Sequence, residues 1–154
     1  MDNGEISVDD PCAPDVRRLL DTHLAEVRAP TPPEDAHALD VDGLRDASVT
    51  FFSMRRGGVL LAVGALKRLD PDHAEVKSMH TVAAARGQGI GRRMAEHLIG
   101  VAREEGYRRL SLETGSMVEF APARALYASV GFKPCGPFGD YPASPNSTYM
   151  TIEL

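Results

Sequence analysis

The chain has 154 residues, no tryptophan, two cysteines and only 6% aromatic residues. Cys12 and Cys135 are far apart and form no disulfide framework and no metal-ligand spacing, so two free thiols and no metal are expected. No apolar run reaches the length of a membrane span, which argues against a membrane partner. The start, Met1-Asp2-Asn3-Gly4-Glu5, is polar and acidic and lacks the apolar stretch of a secretory signal. A cytoplasmic protein is expected. The formal net charge is −5, whereas nucleic-acid binding rests on Lys and Arg neutralising phosphates. No nucleic-acid partner is therefore expected. There is no internal repeat and no low-complexity segment. The length suits one domain with its own core, spanning residues 1–154.

Two rhythms run along the chain. Glu5 to Val8 reads as a short strand. Val16, Leu19, Leu20, Leu24 and Val27 recur at helical spacing behind Pro14, and Pro30, Pro32 and Pro33 stop that helix. Val41 to Leu44 suggests a short second helix. Ser48 to Met54, Val59 to Leu69 and Ala74 to Val82 read as an antiparallel meander, turned by Arg55-Arg56-Gly57-Gly58 and by Asp70-Pro71-Asp72. A helix then carries Ile90, Met94, Leu98, Val101 and Ala102 on one face and stops at Gly106. Arg108 to Thr114 is a strand, Pro122 opens another helix that Gly131 ends, and Phe132 to Cys135 and Thr148 to Leu154 are the last strands.

Between the third meander strand and the long helix lies Arg86-Gly87-Gln88-Gly89-Ile90-Gly91-Arg92. A glycine-rich turn before a helix presents unsatisfied N–H groups and the positive end of the helix dipole, a site for phosphate. No Lys-Ser or Lys-Thr follows the glycines, so it is not a P-loop. Position 92 is Arg, so the third glycine of a dinucleotide fingerprint is missing. Arg86, Arg92 and Arg93 cluster here although cations oppose a helix N-terminus, a conflict that a bound anion would relieve.

Arg86-x-x-Gly89-x-Gly91 resembles the coenzyme A pyrophosphate signature of the GNAT superfamily of N-acetyltransferases. Ala123-Arg124-Ala125-Leu126-Tyr127-Ala128-Ser129-Val130-Gly131-Phe132 resembles a second motif of that family, and the two stand in the family's order. The run Cys135 to Tyr141 is similar to that of a small bacterial subgroup. The resemblance implies an α/β (α+β) acyl-CoA N-acyltransferase fold. Its mixed, mostly antiparallel sheet would have about seven strands flanked by about four helices.

The resemblance also implies the chemistry: direct transfer of acetyl from acetyl-CoA, a co-substrate, to a primary amine of a small molecule or protein. Met79, His80, Thr81 and Val82 would pair through their backbone with the pantetheine arm. Arg86, Gly87, Gln88, Gly89, Ile90, Gly91 and Arg92 would cradle the pyrophosphate. The strand around Glu113 and Thr114 would splay away and open the cleft. Tyr127 takes the general-acid position, against the alternative of an aromatic filling a seam with Leu126 and Phe132. Glu113 and Glu75 are the candidate bases, and His80 is a third titratable group there, with alternation putting Ser78 and Val82 on its side. Each of the three also has a purely structural reading. Many family members carry Asn where Phe120 stands here. Phe138, Asp140 and Tyr141, in a long loop, would wall the acceptor site, or Phe138 would plug the loop. The first loop offers Glu34, Asp35 and His37 to the other wall, and acidic residues on both walls would favour a cationic amine. A homodimer through Thr148 to Leu154 as an edge strand is left open. So are a non-catalytic acetyl-CoA sensor, another acyl-CoA donor and another phosphate ligand.

Overall fold

Strand-period and helix-period segments fold in the expected order. The computed structural model describes residues 4–154; Met1 to Asn3, the start of the polar N-terminal stretch, lie outside the described residues. The elements are β1 (Glu5–Val8), α1 (Pro14–Arg28), α2 (Val41–Leu44), β2 (Val49–Arg56), β3 (Val59–Asp70), β4 (His73–Thr81), α3 (Ile90–Glu104), β5 (Arg109–Gly115), α4 (Ala121–Ser129), β6 (Lys133–Cys135) and β7 (Ser147–Glu153). Short 3₁₀ turns stand at Pro33–Asp35, Ala83–Ala85 and Val118–Phe120.

The β2–β3 turn is shorter than the sequence suggested. Arg55 and Arg56 stay in β2, and only Gly57 and Gly58, at φ 56° and 81°, make the corner. Two successive positive φ values match the twist of a tight hairpin. Arg55 is fixed in the strand because its guanidinium bonds both Asp9 and Asp15, at 3.1 and 2.6 Å.

The seven strands form one sheet in the order β1-β2-β3-β4-β5-β7-β6, in which only β4 and β5 are parallel. This corrects the reading of the C-terminal strand as an edge. β7 is paired on both sides, Met150 with Leu112 of β5 and Tyr149 with Cys135 of β6. The edges are β1 and β6.

Two apolar layers sandwich the sheet. Val16, Leu19 and Leu20 of α1 and Leu44 of α2 pack with Phe51, Val63 and Ala65 on one face. Met94, Leu98 and Ala102 of α3 and Tyr127 of α4 pack with Ala62, Leu110 and Leu112 on the other. The spacing of Ile90, Met94, Leu98 and Ala102 puts them in one stripe, all buried. Each fully buried Leu or Met there contributes roughly 1.5–3 kcal/mol of transfer free energy.

Two irregularities shape the site. First, β4 and β5 pair only at His73–Arg109, Ala74–Leu110 and Glu75–Ser111. Beyond Glu75 and Ser111 the strands part, leaving a V-shaped opening with free backbone edges. Second, β4 carries a bulge. Ala65 faces Lys77 and Val63 faces His80, so Gly64 alone opposes both Ser78 and Met79. Ser78 takes φ 55°, the one non-glycine residue with positive φ among the described residues. The bulge overturns the expected alternation. Lys77, not Ser78, shares the face of His80, while Met79 packs with the core on the opposite face. Gly64 packs tightly there: a Cβ would stand 3.0 Å from both Met79 Sδ and Met94 Cγ.

Candidate active site

The opening between β4 and β5 is the mouth of a cleft of about 730 Å³. β4 contributes Lys77, Ser78, Met79 and His80; β5 contributes Leu112, Glu113, Thr114 and Gly115. The first loop adds Thr31, Asp35 and His37, α4 adds Tyr127, and the last loop adds Asn146.

At one end stands the glycine turn. Gly87 and Gly89 take φ 78° and 76°, a left-handed conformation that a side chain resists. Gly91 serves packing instead: a Cβ there would meet Leu126 Cδ2 at 3.2 Å, so the glycine lets α3 approach α4. The amides of residues 87–92 find no protein acceptor among the described residues. Six successive free donors beside the positive end of α3 form an anion cradle. Arg86 borders the cleft and reaches Glu26 at 3.5 Å. Arg92 runs along the helix surface to Glu96 at 2.9 Å and does not face the cleft.

Met79, His80, Arg86, Glu113, Thr114 and Tyr127 thus meet around one space. Tyr127 is 8% exposed, and its ring packs edge-to-face on Phe132. Tyr127 thus fills the seam and also borders the cleft. Burial drives its phenol well above the ordinary tyrosine range, so it stays protonated. His80 is engaged on both nitrogens, Nδ1 with His23 Nδ1 at 3.0 Å and Nε2 near Glu26 at 3.5 Å. Burial lowers its pKa, and lowers that of His23 to about 4, so both rings are neutral at pH 7.

The two carboxylates fare differently. Glu113 borders the cleft and accepts from His37 Nδ1, with both oxygens at 2.8 Å. Glu75 is 2% exposed, lies off the cleft, and is held by Lys77 Nζ at 3.3 Å and by Tyr141 Oη at 2.5 Å.

The last loop also departs from expectation. Phe138, Asp140 and Tyr141 do not line the cleft. Phe138 is buried and meets Tyr141 and Tyr149 edge-to-face, plugging the loop onto the sheet. Asp140 is exposed, and Tyr141 points into the Glu75–Lys77 pair. The loop reaches the cleft through Asn146, which donates to Asp35 Oδ2 at 3.1 Å. Glu34 is not on the wall, whereas Asp35 and His37 are. Thr81, Val82 and residues 87–92 likewise stand outside the lining.

Several site residues carried no sequence signal. The bulge at Ser78 is what brings His80 onto the face of Lys77. Thr31 Oγ1 and Ser78 Oγ border the cleft, buried and without a hydrogen-bond partner. Phe120 lies over Gly115 so closely that a Cβ would fall 2.1 Å from its ring. That glycine lets the aromatic ring pack into the cleft wall.

A seven-stranded mixed sheet that splays at β4 and β5, with a glycine cradle after β4, is the acyl-CoA N-acyltransferase fold. The model of the acetyltransferase (GNAT) family matches residues 15–132, and the chain belongs to that family. It is an acyltransferase. It is 46% identical over 149 residues to the Bacillus subtilis (strain 168) protein called uncharacterized N-acetyltransferase YsnE, covering 97% of this chain and 99% of that one. It is 37% identical over 159 residues to an IAA acetyltransferase of Azospirillum brasilense, with 100% of both chains covered. Among solved structures it resembles a GNAT acetyltransferase from Elizabethkingia anophelis with acetyl-CoA bound, at TM-score 0.71 and 20% identity over 100% of both chains. A Bacillus subtilis acetyltransferase in complex with CoA gives TM-score 0.75 at 16% identity over 99% of both chains. Among the described residues no helix is long and apolar enough to cross a membrane.

Proposed function

We propose that the chain transfers acetyl from acetyl-CoA directly to a primary amine in the β4–β5 cleft. The observation that carries this reading is the run of six unpaired amides, 87–92, beside a cleft that Tyr127 borders. A pyrophosphate on that cradle would satisfy the free donors and complement the helix dipole. The pantetheine arm would then lie in the opening, where the free edge of β4 past Glu75 offers backbone groups for pairing.

The reaction needs few groups. Holding thioester and amine together supplies part of the barrier reduction, up to about 7–11 kcal/mol in the best cases. The amine nitrogen attacks the thioester carbon, the C–N bond forms and the C–S bond breaks. The nitrogen gives up a proton and the departing sulfur gains one. Tyr127 is the donor to that sulfur. Burial keeps its phenol protonated, and the same dry surroundings raise the basicity of a thiolate formed beside it. The proton acceptor lies on the Glu113 side of the cleft, because Glu75 is committed to Lys77 and Tyr141.

The test is thiol release from acetyl-CoA in the presence of amines, with the acetylated product identified by mass. Amine-dependent release and a product one acetyl heavier are expected. Coenzyme binding with no transfer to any amine would instead favour a sensor of acetyl-CoA.

A further inference from the structure

We infer that His37 is the residue that takes the proton from the acceptor, with Glu113 behind it, and that the acceptor is an aliphatic amine arriving as its ammonium. The inference rests on the acetyl-transfer reading above. His37 comes from the first loop and Glu113 from β5, 76 positions apart, yet Nδ1 stands 2.8 Å from both carboxylate oxygens. A carboxylate can only accept, so Nδ1 carries the hydrogen. In the neutral ring the lone pair is then on Nε2. Nε2 makes no hydrogen bond among the described residues, and the ring borders the cleft. A carboxylate that fixes the tautomer and stabilises the imidazolium is how a histidine is made a directed base.

Other contacts hold the ring in place. Lys77 Nζ donates to the His37 carbonyl at 3.2 Å. The Tyr141 ring lies against the imidazole with centroids 4.9 Å apart. The charged or titratable groups facing the pair are therefore Glu113 of β5, Lys77 of β4 with Glu75 behind it, Tyr141 and Tyr149 of the closing loop and β7, and Asp35 of the first loop. Lys77 is neutralised by Glu75, so Glu113 remains the nearest uncompensated charge.

The substrate class follows from the need for a base. An arylamine is already neutral at pH 7 and needs none before attack, whereas an aliphatic amine arrives protonated. The cleft suits a cation: Asp35, Glu113 and Glu119 border it, whereas its two cations, Lys77 and Arg86, are ion-paired with Glu75 and Glu26. The buried, unpartnered hydroxyl of Thr31 on the same wall adds a polar contact for the acceptor. In the step itself the ammonium gives one proton to Nε2, the neutral nitrogen attacks the thioester carbon, Tyr127 protonates the departing sulfur, and the second proton on nitrogen passes to the Tyr127 phenolate as the amide forms. The imidazolium then loses its proton to solvent.

Two measurements test this. Protein carrying ¹⁵N-labelled histidine is compared with His37→Gln to assign the His37 ring. Hydrogen on Nδ1, facing Glu113, is expected, with Nε2 the nitrogen that takes up and releases the proton. Hydrogen on Nε2 with a bare Nδ1 would overturn the inference without any substrate present. Turnover is then measured with lysine, spermidine and phenylethylamine, and with the arylamine 4-aminobenzoate. His37→Gln should lower kcat/KM for the aliphatic amines roughly a hundredfold near neutral pH, the lower end of a general-base effect. The deficit should shrink as pH rises, and acetyl-CoA affinity should hold. Glu113→Gln should show the same pH trend with a smaller loss. A deficit equal at every pH, or turnover confined to the arylamine, overturns the inference. So does coenzyme binding without turnover of any aliphatic amine. Loss of coenzyme binding by the wild-type protein would sink the acetyl-transfer reading instead, and the ring measurement would still report on the pair.

Discussion

The hydroxyl of Tyr141 accepts a hydrogen bond from Lys77 Nζ at 2.8 Å and donates its own proton to Glu75. The closing loop is thereby fastened to the sheet under the cleft by a buried ion pair. Lys77 is 8% exposed and Glu75 2%. Tyr141→Phe removes one donor and one acceptor from a site that water barely reaches. We expect a loss of about 1–3 kcal/mol, read from denaturant midpoints. Lys77→Met strands the Glu75 charge and should cost more, about 3–5 kcal/mol. A Lys77→Met protein as stable as wild type would contradict the buried pair.

Glycines of α3 and its turn separate binding from stability. Gly89→Ala forces a side chain into φ 76° and should cost roughly 1–2 kcal/mol, with a matching fall in acetyl-CoA affinity. Gly100 lies inside α3 with open space around it. Gly100→Ala should raise stability by about 0.4–1 kcal/mol and leave binding alone. Equal coenzyme affinity in the two variants would show that the turn does not hold the pyrophosphate.

Tyr127→Phe keeps the ring that packs on Phe132 and removes only the hydroxyl. Turnover should fall at least tenfold while acetyl-CoA affinity changes little. Single-turnover kinetics at saturating coenzyme check this. Near-normal turnover would leave Tyr127 as a packing residue.

Acid should destabilise the fold through His23. Burial holds its folded pKa at about 4, against an unfolded value of 6.5. The unfolded chain therefore binds the extra proton over that interval, and stability rises with pH there. Stability should be complete above about pH 6.5 and decline towards pH 4, by roughly 3 kcal/mol from this residue. His23→Gln should flatten the slope of melting temperature against pH, though not abolish it, since burial also lowers the pKa of His80, His73 and His97. An unchanged slope would contradict a buried neutral His23.

Much of this molecule could be read from residue order because period and punctuation are local. The stripe Ile90, Met94, Leu98 and Ala102 marks a helix face, and Gly57-Gly58 marks a corner. The position of β7 between β5 and β6 is not local, since a strand's sequence does not name its neighbours. The bulge at Ser78 left no mark either, because no glycine or asparagine stands at that position and the space for it comes from Gly64 on the neighbouring strand. From that one irregularity follows the placement of His80 on the face of Lys77. The pairing of His37 with Glu113 joins two segments 76 positions apart and depends on where a proline-rich loop comes to rest.

The most direct measurement is a calorimetric titration with acetyl-CoA and desulfo-coenzyme A, with ATP as the comparison ligand. A coenzyme held at the 87–92 turn and the β4–β5 opening should bind saturably, at micromolar affinity or tighter, and ATP should not compete. No binding of either coenzyme ligand by folded protein would contradict acetyl transfer in this cleft and leave the glycine turn a simple connection between β4 and α3.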